Sequence, residues 1–334
     1  MSEKLNAALI DTICNTLPDN TNPAALIADI LNIGREAAYR RLRGEVLFSF
    51  GEAALLARRL NFSLDRAQGV IGAGNILFQM QFNDFYSTLE KYNDNLVKDI
   101  RFFQKIATEP DTVYAIAGSA IPAEYYMRHE YIAKFKFFKW LYQHGLSDPT
   151  VRTFEQLKVP EALTGNYSEY VRAVHDVKSV WYVFDNVGFR HWVTAISAFR
   201  SMHLISDESC RRLKNELLQL LDEMEQISIN GCYPNGNKVF FYLSEVDLES
   251  SYSYLSTPTY TASSVGVFSL NALRTTDPVM FDLVKRWVQT QMRFSTLISG
   301  SGELQRVRYF KRQREIVSEL EREGNLPSPE ASLD

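Results

Sequence analysis

Apolar positions recur at helical spacing through the first 65 residues. Leu5, Ala8, Leu9, Thr12, Ile13 and either Thr16 or Leu17 share one face and predict a first helix that ends near Leu17, before Pro18-Asp19-Asn20. Asn22 offers an N-cap, and Pro23 stands at the first helical position, where its missing N–H costs nothing. Leu26, Ile27, Ile30 and Leu31 make the buried face of a second helix, closed by the turn Asn32-Ile33-Gly34. A third helix is expected over residues 35–43, stopping at Gly44, a residue suited to a left-handed C-cap. Ser49 and Glu52 form a capping box for a fourth helix, with Ala53, Leu56, Ala57 and Leu60 inward. Ser63 caps a short fifth segment from Leu64 to Ala67. Short helices with short connections predict a small all-α domain over residues 1–68.

The stretch GVIGAGN over residues 69–75 predicts a glycine hinge. No strand precedes it and no Lys follows, so a phosphate-cradling loop is disfavoured. Beyond it the period changes. Residues 76–82 alternate apolar and polar as a half-buried strand does, and Ser87 with Glu90 forms a second capping box. Leu89, Tyr92, Leu96, Ile100 and Phe103 give a helical stripe ending near Ala107. Its spacing also suits a dimer seam but covers barely two heptads, so packing onto a sheet is preferred. Residues 112–117 and 179–184 are continuous apolar strands. Between them Pro122 opens a long aromatic helix to His144, then a polar connection and a short helix through Tyr170 and Val174. Helices over 188–202 and 207–229 are followed by strands at 239–243, 251–255 and 263–270. Asp277-Pro278 starts a helix with Phe281, Val284, Trp287 and Val288 inward. In Ser299-Gly300-Ser301-Gly302, Gly300 is read as ending that helix and Ser301 as capping the last one, in preference to an anion site. The tail 324–334 is expected to be disordered. The fold class is therefore α+β and multidomain: an all-α domain, a hinge, and a mixed α/β domain over residues 76–323.

Charge changes the picture more than composition does. The chain carries −4 overall, which argues against indiscriminate coating of nucleic acid. Yet residues 33–66 hold seven arginines against four acids, a local +3 that leaves −7 for the rest. That contrast suits a basic reading head on an acidic body. Cys14, Cys210 and Cys232 lie far apart with no metal-ligand spacing, as expected of reduced thiols in the cytoplasm. No secretory signal and no 18-residue apolar run is present, so no membrane partner is expected. His129, His144, His175, His191 and His203 show no HxxxH or HExxH spacing. No catalytic, metal or cofactor site is read from them.

The segment ALIADILNIGREAAYRRLRGEVLFSFGEAALLARRLNFSLD resembles the Cro/C1-type helix-turn-helix of lambda-repressor-like regulators, within residues 5–68. The places of that pattern are held by Ala28, Ile33-Gly34, Ala38, Leu42, Arg43-Gly44 and the phrase from Leu56 to Ser63. Two positions depart from it. Ala38 is smaller than the usual Ile or Val, and Gly34 stands where Ser or Thr often caps the recognition helix. The resemblance implies that the third helix enters the major groove, with Arg35, Glu36, Tyr39 and Arg40 at base edges and Arg41 and Arg43 at phosphates. Arg matches guanine O6 and N7 with two hydrogen bonds, and Glu accepts from cytosine N4.

The expectation is a cytoplasmic, one-component transcriptional regulator that binds specific double-stranded DNA as a homodimer and is not an enzyme. The body is expected to dimerise or to sense a small-molecule or protein effector. Two alternatives stay open: an enzyme with a DNA-targeting head, and a helical adaptor whose head binds protein.

Overall fold

The computed structural model describes residues 2–17, 22–60, 62, 64, 76, 78–80, 89–143 and 151–321. The Ser63 cap, the 69–75 hinge, Ser87, His144 and the 324–334 tail lie outside them. The chain divides into two compact units, Met1–Leu77 and Phe78–Asp334.

The first unit contains α1 (Ser2–Thr16), α2 (Pro23–Leu31), α3 (Arg35–Leu42) and α4 (Phe50–Leu60). Local chemistry fixes their ends. The Asn22 side chain accepts from the N–H groups of Ala24 and Ala25 at 3.0 and 3.2 Å, a cap worth about 1 kcal/mol. Asn32 closes α2 in the left-handed region at φ 53°. Gly44, at φ +77°, turns the chain after α3. The Ser49–Glu52 box is reciprocal: Ser49 N–H donates to Glu52 at 2.8 Å, and Glu52 N–H to the Ser49 hydroxyl at 3.2 Å. The core is small and alanine-rich, with Leu9, Ile13, Ala24, Ile27, Ala28, Ala38, Ala53 and Leu56 buried together. Asn6 is buried and accepts the Phe48 N–H at 3.0 Å, tying α1 to the segment before α4.

The second unit is a mixed sheet flanked by helices. Its elements are β1 (Gln79–Met80), α5 (Leu89–Ala107), β2 (Val113–Ala117), α6 (Ala123–Tyr126), α7 (Glu130–Gln143), α8 (Glu161–His175), β3 (Ser179–Phe184), α9 (Gly188–Ser201), α10 (Asp207–Asn230), β4 (Lys238–Ser244), β5 (Tyr252–Ser256), β6 (Thr261–Val267), β7 (Asn271–Thr275), α11 (Pro278–Arg293), β8 (Ser295–Leu297) and α12 (Glu303–Ser318). The strand order is β1-β7-β6-β5-β2-β3-β4-β8, with β2, β3 and β4 parallel and the remaining pairs antiparallel. The parallel strands alternate between two cores, as the period of two requires. Val180, Tyr182, Phe184, Val239 and Phe241 join the larger, aromatic core with α5 through α10 and α12. Ala115, Ala117 and Val183 face α11 through Phe281, Val284, Val288 and Met292. The stripe from Tyr92 to Phe103 is buried in the larger core, and the Phe103 ring meets Tyr114 of β2 at 5.3 Å. Among the described residues, no helix is long and apolar enough to cross a membrane.

Several expectations are corrected. The aromatic helix after Pro122 is two helices, α6 and α7, broken at Met127–His129, where buried His129 meets Glu223 of α10 at 3.5 Å. The short helix through Tyr170 and Val174 starts earlier than expected: α8 takes in the end of the polar connection, residues 161–166, where Leu163 begins the buried stripe continued by Tyr167, Val171 and Val174. The strand expected to reach residue 270 ends at Val267, because Phe268 and Ser269 both turn at positive φ into β7. Trp287 is half exposed rather than inward, since Met292 completes the buried stripe of α11. Finally, β8 separates α11 from the 299–302 turn. The Ser299 hydroxyl accepts the Phe241 N–H at 3.0 Å, and Gly300 N–H donates to Ser228 at 2.9 Å. Gly302, not Ser301, holds the N-cap of α12 at φ 64°; a Cβ there would meet the Leu297 carbonyl at 2.4 Å.

Candidate nucleic-acid interface

The basic surface of the first unit is carried by an eight-residue helix with one fully buried side chain. Ala38 is the buried residue of α3. Its smallness lets α3 lie close against α2, whose Ala24 and Ala28 share the same core. Leu42 packs beside Ala38, and the opposite face carries the polar side chains. Arg35, Glu36, Tyr39, Arg40 and Arg43 are all exposed.

The six expected site residues are not equivalent. Arg40 and Arg43 keep 54% and 56% of their side-chain surface, against 17% for Arg41. Arg41 turns toward α4, donating to Glu52 at 2.8 Å and to the Ala37 carbonyl at 3.2 Å. Burial pushes the Glu52 carboxyl up, but the Ser49 N–H and the Arg41 guanidinium outweigh it and hold the group below the usual carboxylate range. Glu36 and Glu45 sit among the outward arginines. Glu45 reaches Arg40 at 3.4 Å and Arg43 at 3.3 Å, while Glu36 reaches Arg43 at 3.2 Å. Such exposed pairs are worth at most about 1 kcal/mol and exchange readily for other anions. Arg35, at the start of α3, makes no ion pair among the described residues.

Sequence reasoning missed two aspects of this surface. One is the Arg41–Glu52 brace, whose partners lie eleven residues apart on different helices. The other is that Leu47 and Phe50, like Tyr39, are exposed as large apolar side chains. The fourth-helix pattern signals both weakly, because Leu47 and Phe50 fall outside the stripe of Ala53, Leu56 and Ala57.

The histidines are dispersed in the second unit. His175 stacks on Tyr233 at 3.7 Å, His203 follows α9 at φ 57°, and His191 is exposed on α9.

No family model, curated protein or solved structure matches this chain.

Proposed function

We propose that this chain is a sequence-specific, DNA-binding transcriptional regulator of the Cro/C1 helix-turn-helix kind. The first unit is the reading head, and the second is a sensing or oligomerisation body of a one-component, cytoplasmic homodimer. One observation carries the reading. α2, a short turn and α3 present Arg35, Glu36, Tyr39, Arg40 and Arg43 outward from a helix that packs on its core through Ala38 and Leu42. Arg35, Glu36, Tyr39 and Arg40 are assigned to base edges and Arg43 to phosphate. Arg41 is assigned a positioning role, because its guanidinium is held by Glu52. Two heads acting on a pseudo-palindrome supply the affinity that one short helix lacks.

The test is selection of bound sequences from a random duplex pool, followed by titration of the selected site. Arg40→Ala is expected to weaken specific binding about 10- to 100-fold, the effect of losing one bidentate base contact. Equal binding of the selected site by the variant rejects the groove assignment. A selection that enriches no sequence favours a protein-binding adaptor instead.

A further inference from the structure

The second unit contains a crevice beside the residues that follow β2. Two adjoining cavities, of about 160 and about 540 Å³, share Ser119, Ala120, Ile121, Lys136 and His191 in their lining. The larger lobe alone lies within the range of about 300–1,000 Å³ usual for small-molecule sites. The carboxyl ends of parallel strands are where an open α/β sheet gathers its loops and helix N-termini, and ligands bind there for that reason.

One buried carboxylate frames this crevice. Buried Asp185, just after β3, accepts from the Ser119 hydroxyl and from the N–H groups of Val187 and Leu248, each of the latter at 3.1 Å. That one carboxylate ties together the segments following β2, β3 and β4. Gly118 and Gly188 let them close. A Cβ on Gly118 would stand 2.9 Å from the Ser251 backbone, and one on Gly188 would stand 3.1 Å from the Ser119 carbonyl.

Onto this frame α7 places two cations. Lys136 and Lys139 are three residues apart, hence on one face, and both line the smaller lobe with Gly188 and His191 of the first turn of α9. Neither lysine makes a hydrogen bond or ion pair among the described residues. Lys136 lies over the Trp192 ring, 5.9 Å from its centre. Burial, reinforced by the neighbouring Lys139, pushes the Lys136 ammonium down to about 8. Two like charges drawn partly out of water without a counter-charge oppose folding, and an anion between them relieves that cost.

The larger lobe has a different character. Tyr92, Tyr114, Tyr126 and Tyr170 line it. Its carboxylates are largely silenced. Asp99 is paired with Arg274 at 2.7 Å, and burial pushes the Glu124 carboxyl up toward its neutral form, although the Tyr182 hydroxyl bonds it at 2.6 Å. Glu249 is exposed.

We propose that this crevice binds a small organic anion, a phosphate monoester or a carboxylate bearing a flat apolar group. The anionic group sits between Lys136, Lys139 and the first turn of α9, and the apolar part lies against Tyr92, Tyr114 and Tyr170. The site stands whether or not the first unit reads DNA.

The experiment is calorimetric titration of the full chain with phenyl phosphate, benzoate and inorganic phosphate at matched ionic strength. Phenyl phosphate or benzoate is expected to bind once per chain, about tenfold or more tighter than inorganic phosphate. Whichever binds tighter identifies the anionic group. The double variant K136M/K139M is expected to lose at least about tenfold in affinity, while its ligand-free melting temperature stays level or rises. Should that variant fold poorly, K139Q alone is expected to weaken binding at least about threefold with an unchanged melt. Absence of binding by all three probes up to about 10 mM overturns the proposal. So does unchanged affinity in a folded lysine variant.

Discussion

Arg41 of α3 and Glu52 of α4 share an ion pair of 2.8 Å in which the carboxylate also closes the capping box with Ser49. A single side chain therefore joins the two helices and caps the second. Loss of that carboxylate leaves the half-buried guanidinium without its counter-charge, and the Arg41 Nε already has no partner. Glu52→Ala is expected to destabilise the first unit by about 1–3 kcal/mol. All four tryptophans, at 140, 181, 192 and 287, belong to the second unit. Tryptophan fluorescence is therefore blind to this change, and amide hydrogen exchange of α3 and α4 is the measurement. Unchanged protection of both helices rejects the brace.

The brace also shows what a sequence can and cannot disclose. Asn22, Ser49, Glu52 and Gly44 are readable because a cap is completed within three or four residues. The parallel strands are readable because they are buried on both faces and run apolar without a break, as in SVWYVF at Ser179–Phe184. β7 reads NALRT and β8 has three residues, so neither carries a strand pattern of its own; each is recruited by its neighbour in the sheet. The outward face of α3 follows from helical period alone. The Arg41–Glu52 pairing does not, since it depends on how two helices pack. The crevice was the least legible feature. Lys136 and Lys139 lie within an aromatic helix whose pattern gives no sign of the segment after β2 and the first turn of α9 that line the smaller lobe with them.

Glu45 contacts both Arg40 and Arg43, so it competes with DNA, a base edge for Arg40 and a phosphate for Arg43, for the two most exposed arginines with ion-pair partners on this surface. On the proposed reading, Glu45→Gln is expected to raise DNA affinity about three- to tenfold at low salt, with a gain that shrinks as salt increases. The exposed pairs contribute little to folding, so the melt should move by less than about 0.5 kcal/mol. Arg43→Ala is expected to lower the slope of log affinity against log salt by about one without changing which sequence is preferred. Weaker binding by the Glu45 variant, with its fold intact, contradicts the assignment of these arginines to DNA.

His175 makes the stability of the second unit depend on pH in a window that its own environment sets. Its ring stacks on Tyr233 at 3.7 Å and 15°, and its Nε2 is buried without a hydrogen-bond partner. Burial first, and then the charge of Arg128, pushes the imidazole down from its usual 6.5 to about 4. The unfolded chain takes up a proton near pH 6.5, whereas the folded chain refuses it until about pH 4. Stability is therefore fully present above pH 6.5, falls as pH drops through that interval, and levels off below about 4 as far as this group is concerned. The contribution is about 2 kcal/mol after allowance for partial exposure. His175→Phe preserves a flat ring against Tyr233 and removes the titration. Denaturant melts of wild type and variant, followed by tryptophan fluorescence, should diverge between pH 6.5 and 4, with the variant losing less stability. Parallel curves across that interval mean that the imidazole titrates alike in the folded and unfolded chain, which the buried, stacked geometry does not allow.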